Sequence, residues 1–489
     1  LDEPLVKDGS KYFDTKLWTG SSSSQSITYP FTPDFAWVKA RNQAYHNILL
    51  DTVRGDNKCL LSDSTSAEEN NPSYAGGAFS GNDLVLPNKQ NVNSNGNSFV
   101  GWAWDAGDLA SADTSLYNSS RKWSDSLTVA SGTFSKPKTN PFLGYLSNSF
   151  QAESGGNQVL MTLTFSPAIT VSSNVKVYGE TGYATDFTAT IGGTTYSATA
   201  TGNHTFSYTG SLTQITINNN ASNGRTYFEG VQIDGVTLID SGVTPPNIPT
   251  IAPTGCSVGT KQGFSIIKYT GGGSNLDTLP HGLSQTPDFI IVKNLSDGAV
   301  DWIIKPVGQL TDDTYMLIFT NNVQFQGSGG HIIRQDRHVV TFKDGSNRLN
   351  YNDSGDDYIM YAWHNVPGLQ KFGSYPGNGN TDGTFIELGF RPAILWAKRA
   401  IGGAGDWIIK DSTRYDANRS GPGNTLVANV TNKEDDYYTA SQVQIDLLSN
   451  GFKLRHAGGP LNDTSSTYIY CAWAEAPSVN LYGGQSNAR

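Results

Sequence analysis

Three hexapeptides constrain this chain more than any other feature: FVGWAW at 99–104, YIMYAW at 358–363 and YIYCAW at 468–473. Each begins with an aromatic, continues with Val or Ile, and ends in Ala-Trp. Each follows an asparagine by six positions, Asn93, Asn352 and Asn462. A phrase written three times marks a repeated structural unit, and other landmarks recur in register with it. A turn opens each unit: LWTG at 17–20, KYTG at 268–271 and SYPG at 374–377. A proline-led apolar run follows: FTPDFAWVK at 31–39, QTPDFIIVK at 285–293 and FRPAILWAK at 390–398. Then come HNILLD at 46–51, DWIIK at 301–305 and DWIIKD at 406–411.

Units one and three share a D-x-x-R, Asp51 with Arg54 and Asp411 with Arg414, and a later segment that ends in Glu68 or Glu434. Unit two reads KPVGQL where the D-x-x-R would stand. The closing tryptophans are Trp104, Trp363 and Trp473, and the first gap is longer than the second by about one domain. The spacing predicts repeat one at 1–107, an inserted module at 108–243, a proline-rich linker at 244–260, repeat two at 261–370 and repeat three at 371–489.

Both kinds of module read as β-structure. In the insertion, VLMTLTF (159–165), NVKVYG (174–179) and QITINN (214–219) alternate apolar and polar residues with the period of a half-buried strand. Gly192-Gly193 predicts a hairpin, and FEGVQIDGVTLID (228–240) a strand pair with a tight Asp-Gly turn. SNG in DLLSNGFKL (446–454) marks another hairpin. In the repeats, FIIVK and AILWAK are continuous apolar runs of strand length, which suits strands covered on both faces. The expected fold is all-β: tandem antiparallel β-sandwich domains of jelly-roll-like type, three related and one inserted. The recurrent tryptophans are expected to pack in cores or between domains, with sugar stacking the sharper alternative. The D-x-x-R is expected to be an ion pair or loop clamp. Each asparagine is expected to make a turn by bonding its own backbone.

The net charge of −10 and pI near 5.2 disfavour nucleic acid as a partner. No apolar run approaches the ~18 residues of a membrane-spanning helix, and the polar N-terminus does not read as a signal peptide. Cys59, Cys256 and Cys471 are too scattered for a disulfide framework or a metal knuckle. The histidine pair His331 and His338 lacks metal-ligand spacing, and no nucleophile-elbow, zinc-protease or phosphate-loop motif occurs. No cofactor or metal is expected. Carboxylates at Asp312-Asp313, Asp356-Asp357 and Glu434-Asp435-Asp436 read as solvated loop charge, with Ca²⁺ binding second, as in GNGNTDG (377–383).

GFSIIKYTG (263–271), GNGNTDGTFIELGFRPAILWAKR (377–399), IDLLSNGFKLR (445–455) and TYIYCAWAEAP (467–477) together resemble a repeat of bacteriophage tail fibre and tail-associated proteins, particularly of phages of marine bacteria and cyanobacteria. The resemblance covers roughly 10–107 and 261–489. It implies a virion structural protein, a non-enzymatic adhesin on a tail appendage. Its implied partners are other tail proteins and a host-surface glycan or protein, with homotrimerisation expected from appendage architecture. In the insertion, Trp123, Tyr145, Tyr183 and Tyr227 are the candidate glycan-stacking aromatics. The alternative is a capsid-decorating fibre or tail adaptor. A tailspike depolymerase is the third reading, without visible parallel β-helix coils. The closing NLYGGQSNAR is similar to the natural end of such proteins.

Overall fold

The computed structural model describes residues 6–109, 117–146, 151–157, 159–179, 186–191, 193–199, 203–219, 225–243, 249–312, 314–326, 332–335, 338–342, 350–414, 424–438, 442–475, 478–479 and 485–486. The chain forms two compact units. One joins Leu1–Ala112 to Pro249–Arg489, and the other is Asp113–Ile248. The long first gap is therefore an insertion into a unit built from all three repeats.

Each repeat is a two-sheet antiparallel sandwich, and the three share one strand order. In repeat three the larger sheet runs Gln370–Pro376, Thr467–Ala474, Pro392–Ile401, Trp407–Asp411, Leu426–Val427. Its smaller sheet runs Phe385–Glu387, Gly451–Leu454, Ile445–Leu448. Repeat one places Phe13–Thr19, Ser98–Trp104, Phe35–Ala40 and Ile48–Asp51 in the same order. Repeat two places Phe264–Thr270, Asp357–Trp363, Phe289–Asn294 and Ile303–Pro306 likewise. The closing phrase is thus always an interior strand, hydrogen-bonded to the opening strand on one side and the proline-led strand on the other.

That position explains why the phrase is apolar on both faces. Tyr468, Tyr470 and Ala472 enter the core between the two sheets of their own repeat. Ile469, Cys471 and Trp473 point the other way, into a core that all three repeats share. Val100, Trp102 and Trp104 of repeat one meet them there, as do Ile359, Tyr361 and Trp363 of repeat two. The period of two splits each phrase between a private core and a common one. At the centre, Trp473 packs against Trp104, Trp363 and Trp396 with ring centroids 5.4, 6.1 and 4.9 Å apart. All three contacts are edge-to-face, which sets the positive edge of one ring against the negative face of the next. Four buried indole N–H groups of this cluster, on Trp104, Trp363, Trp396 and Trp473, have no hydrogen-bond acceptor among the described residues.

The asparagines differ from expectation. Each is buried and braces the opening turn of its own repeat rather than its own backbone. Asn93 accepts from the Ser21 amide at 3.0 Å, Asn352 from Gly272 at 2.9 Å and Asn462 from Asn378 at 2.9 Å. Their side-chain amides donate to the same turns, at Ser23, Ser274 and Asn380. The glycine before each donating amide is required by this approach. A Cβ on Gly20, Gly271 or Gly377 would lie 2.0–2.2 Å from a carbonyl oxygen of the residue after the asparagine. In GNGNTDG the oxygens are likewise engaged: Asn378 and Asn380 accept from Asn462 and from loop amides, and Asp382 pairs with Lys453.

The predicted linker is also corrected. Pro253–Gly259 is an edge strand of repeat two, paired with Phe264–Thr270. Proline is tolerated there because it opens an edge strand, where an amide donor is dispensable. Residues 244–248 lie outside the described region.

The inserted unit has its own core, including Trp123, Phe165, Val175, Val177, Phe206 and Ile217. Ile191 pairs with Thr194 where the first hairpin is expected, Gly192 lying outside the described residues, and the Asp-Gly turn pairs Ile233 with Val236. Asp234 and Gly235 there have φ of 52° and 84°, as a two-residue hairpin turn requires. Leu448 pairs with Gly451 across the SNG turn. Among the described residues no helix is long and apolar enough to cross a membrane.

Since the common core belongs to no single repeat, Trp473→Ala should destabilise all three together. The expected cost is about 3–5 kcal/mol. Calorimetry should show one lowered transition for the three repeats; separate repeat transitions would refute a shared core.

Candidate functional site

The lysine that ends each proline-led run is fully buried: Lys39, Lys293 and Lys398. A buried ammonium must find acceptors, and each finds one carbonyl at home and one in a neighbouring repeat. Lys39 donates to Tyr45 and, at 2.7 Å, to Thr431 of repeat three. Lys293 donates to Val300 at 2.6 Å and to Thr65 of repeat one at 2.9 Å. Lys398 donates to Gly405 and, at 2.7 Å, to Asn322 of repeat two. The direction is cyclic: one to three, two to one, three to two.

The residues at the start of the strands Ile48–Asp51, Ile303–Pro306 and Trp407–Asp411 close the same ring. Asn47 donates to Val427 and Val430, Trp302 to Leu61 and Ser64, and Trp407 to Ile318. Backbone amides of Glu434, Glu68 and Gln324 donate to the carbonyls of Arg41, Leu295 and Ala400. Those carbonyls sit two residues beyond the three lysines. The repeats are therefore related by an approximate threefold axis, with equivalent polar ties at every interface.

The D-x-x-R pairs belong to this scheme. Asp51 takes the Arg54 amide at 2.7 Å and its Nε at 2.5 Å, with both side chains fully buried. Asp411 and Arg414 repeat the geometry. They are loop clamps, and each carboxylate also reaches across an interface. Tyr361 of repeat two donates to Asp51 at 2.6 Å, and Trp102 of repeat one donates to Asp411 at 3.0 Å. Glu434, expected as solvated charge, instead bonds Arg414 at 2.9 Å and Arg41 of repeat one at 2.8 Å.

At one place these equivalent loops leave a gap. A cleft of about 530 Å³ is lined by Ser62, Asp63, Ser64 and Thr65 of repeat one, Asp301, Trp302, Phe319, Thr320 and Asn321 of repeat two, and Asp406, Asn429, Val430 and Tyr437 of repeat three. Its carboxylates differ in state. Asp63 accepts from the Asn47 amide at 2.7 Å and holds His46 at 2.6 Å, which raises the imidazole pKa. Asp406 accepts from Asn429 at 2.7 Å and Tyr438 at 2.6 Å. Asp301 makes no hydrogen bond or ion pair among the described residues. No lysine or arginine lines the cleft. Among the described residues, no group of three or more His, Cys, Asp or Glu is placed to hold a metal ion.

The aromatics singled out in the insertion do not form a comparable surface. Trp123 is fully buried, its Nε1 bonded to the Asn118 carbonyl and its ring covered by the Arg121 guanidinium at 4.4 Å, so it offers no stacking face. The short 3₁₀ turn Trp123–Ser126 turns it inward, into the core of the inserted unit. Tyr145 is exposed, and Lys136 lies 5.8 Å over the ring of Tyr227. Tyr183 lies outside the described residues. The cleft of this unit, about 400 Å³ between Asn118, Thr170 and Asp234, is lined by none of the four. Sequence reasoning missed the shared cleft, and the one signal for it was the Lys recurring at the end of each proline-led run.

The match to known families has the same outline as the threefold unit. Residues 8–126 and 239–477 match the family described as "Domain of unknown function (DUF7483)", and the match leaves out the body of the insertion. No curated protein matches the chain.

Two outcomes follow. Asp411→Ala strands the buried Arg414 and the Trp102 N–H, and should cost about 3–5 kcal/mol in urea unfolding; a cost below 1 kcal/mol would exclude the clamp role. Burial also lowers the lysines from 10.5, to about 8 for Lys39 and Lys293 and about 7 for Lys398. Below pH 7 these groups are charged in both folded and unfolded chains, and the burial cost is complete. Above it, folding releases protons until the unfolded lysines titrate near 10.5. Their contribution to stability therefore rises between about pH 7 and 10, and Lys398→Met should flatten that rise in unfolding free energy measured against pH.

Proposed function

The chain belongs to the DUF7483 family, and we propose that it is a phage virion structural protein, a tail-appendage adhesin that recognises the host surface without catalysis. The proposal joins the sequence resemblance to one structural observation. At the shared cleft, three repeats jointly turn uncommitted polar groups and an exposed tyrosine to solvent. Elsewhere in the threefold unit, the distinctive charged residues are consumed in holding repeats together, as Asp51, Arg54, Asp411, Arg414 and Glu434 are. A scaffold so braced suits display of a preformed recognition surface. An adhesin also needs no activated nucleophile or paired acid and base, and the arginine-clamped carboxylates supply neither.

The adaptor reading draws support from the threefold itself. A single chain offers three equivalent faces, which fits attachment to a trimeric fibre. Homotrimerisation of this chain gains no such support, because each repeat's interface groups are already satisfied by the next repeat.

The test is competition. The purified chain should bind cells that adsorb the phage carrying it, and should slow adsorption of whole particles. Binding by particles but not by the chain would remove the adhesin reading. Electron cryo-microscopy of the virion, with density at a distal tail appendage, separates adhesin from adaptor. Release of reducing sugar from host polysaccharide would instead point to a depolymerase.

A further inference from the structure

We infer that the shared cleft binds a non-acidic glycan, its pyranose rings carrying hydroxyl, acetamido or amino groups but no carboxylate or sulfate. The inference rests on the adhesin reading and names the ligand class of the same site.

Four features of the cleft carry it. Its volume, about 530 Å³, falls within the range of small-molecule sites. Tyr437 stands 43% exposed at the cleft, and Tyr438 packs edge-on against it at 5.0 Å. A supported ring with one free face can take the C–H face of a sugar. Among the described residues Asp301 is an acceptor with no hydrogen-bond partner, and Asn321 presents an exposed amide that makes no side-chain hydrogen bond. A carboxylate beside an amide suits vicinal hydroxyls, which both donate and accept. Finally, the charge excludes acidic sugars. Asp63, Asp301 and Asp406 line the cleft without any lysine or arginine, and the chain carries −10 overall. An anionic ring would meet three carboxylates at close range, while the lysines whose charges reach them, Lys39, Lys293 and Lys398, are buried and already bonded to carbonyls.

The groups lie on three different repeats. Thr65 comes from repeat one, Asp301 and Asn321 from repeat two, and Tyr437 from repeat three. No isolated repeat contains the site. Closure of the ring assembles it.

The full chain should be titrated with maltotriose, a glucosamine trisaccharide and a galacturonate trisaccharide, by calorimetry at fixed ionic strength. The expected result is binding of one or both of the first two and none of the third. Tyr437→Ala and Asp301→Asn should each weaken that binding about tenfold, with unfolding midpoints unchanged, since neither side chain anchors an interface. Binding of the galacturonate, binding of no trisaccharide, or indifference to both substitutions would overturn the inference. Cell binding keeps the two failures apart. If the chain binds cells and both variants bind them equally well, the cleft assignment fails and the adhesin reading stands. If the wild-type chain binds no cells, the adhesin reading itself fails.

Discussion

The burial of one face of each closing strand governs the rest of this structure. Trp104, Trp363 and Trp473 lie on the face that a single sandwich cannot cover, because its own smaller sheet already packs against the opposite face. A lone repeat would present Val or Ile, a further buried side chain (Trp102, Tyr361 or Cys471) and Trp to water along its larger sheet. Three such sheets turned toward one axis remove all of that surface at once. The common core is thus a condition for each repeat's stability as well as a product of their association, in the way that stacked repeats depend on neighbours.

Closing a core in this manner buries backbone at the interfaces, and the polar ties answer that cost. An apolar seam alone would leave loop carbonyls at Thr65, Asn322 and Thr431 without donors. The lysines supply them from the ends of the apolar runs FAWVK, FIIVK and AILWAK. A lysine is suited to this work because its long stem packs like an aliphatic chain while its nitrogen serves two acceptors. The neutral amine keeps two N–H groups for two carbonyls, so proton loss does not break the tie.

The threefold is deliberately imperfect. Where Asp51 and Asp411 receive Tyr361 and Trp102 from a neighbour, repeat two has Pro306 in place of the aspartate. The position equivalent to Tyr361 and Trp102 in repeat three is Cys471, buried and without a strong donor. Acceptor and donor are missing from the same interface together. A buried aspartate there without its arginine, or a tryptophan without an acceptor, would have been left unsatisfied. The same inequality shapes the cleft, where each repeat contributes different side chains from an equivalent loop, and so presents an asymmetric surface at an approximately symmetric junction.

Much of this was legible in the residues. Period-two alternation and Gly-containing turns located the strands and hairpins of the insertion, because those signals are local. The double-sided apolar character of YIYCAW correctly implied an interior strand covered twice. The register of the landmarks located the insertion, and the D-x-x-R spacing is short enough for an ion pair to be read directly. Other features were not legible. Asn462 reads locally as a turn residue, yet its partner, Asn378, lies 84 positions away. Pro253–Gly259 reads as linker because proline content is a local signal and edge pairing is not. Trp123 is buried because a 3₁₀ turn, set by packing, decides its direction. Side-chain periodicity states that a face is buried without stating against what. Here the answer, two other copies of the same face, and with it the lysine ring and the cleft, depended on contacts between residues hundreds of positions apart, which only the closed tertiary structure could decide.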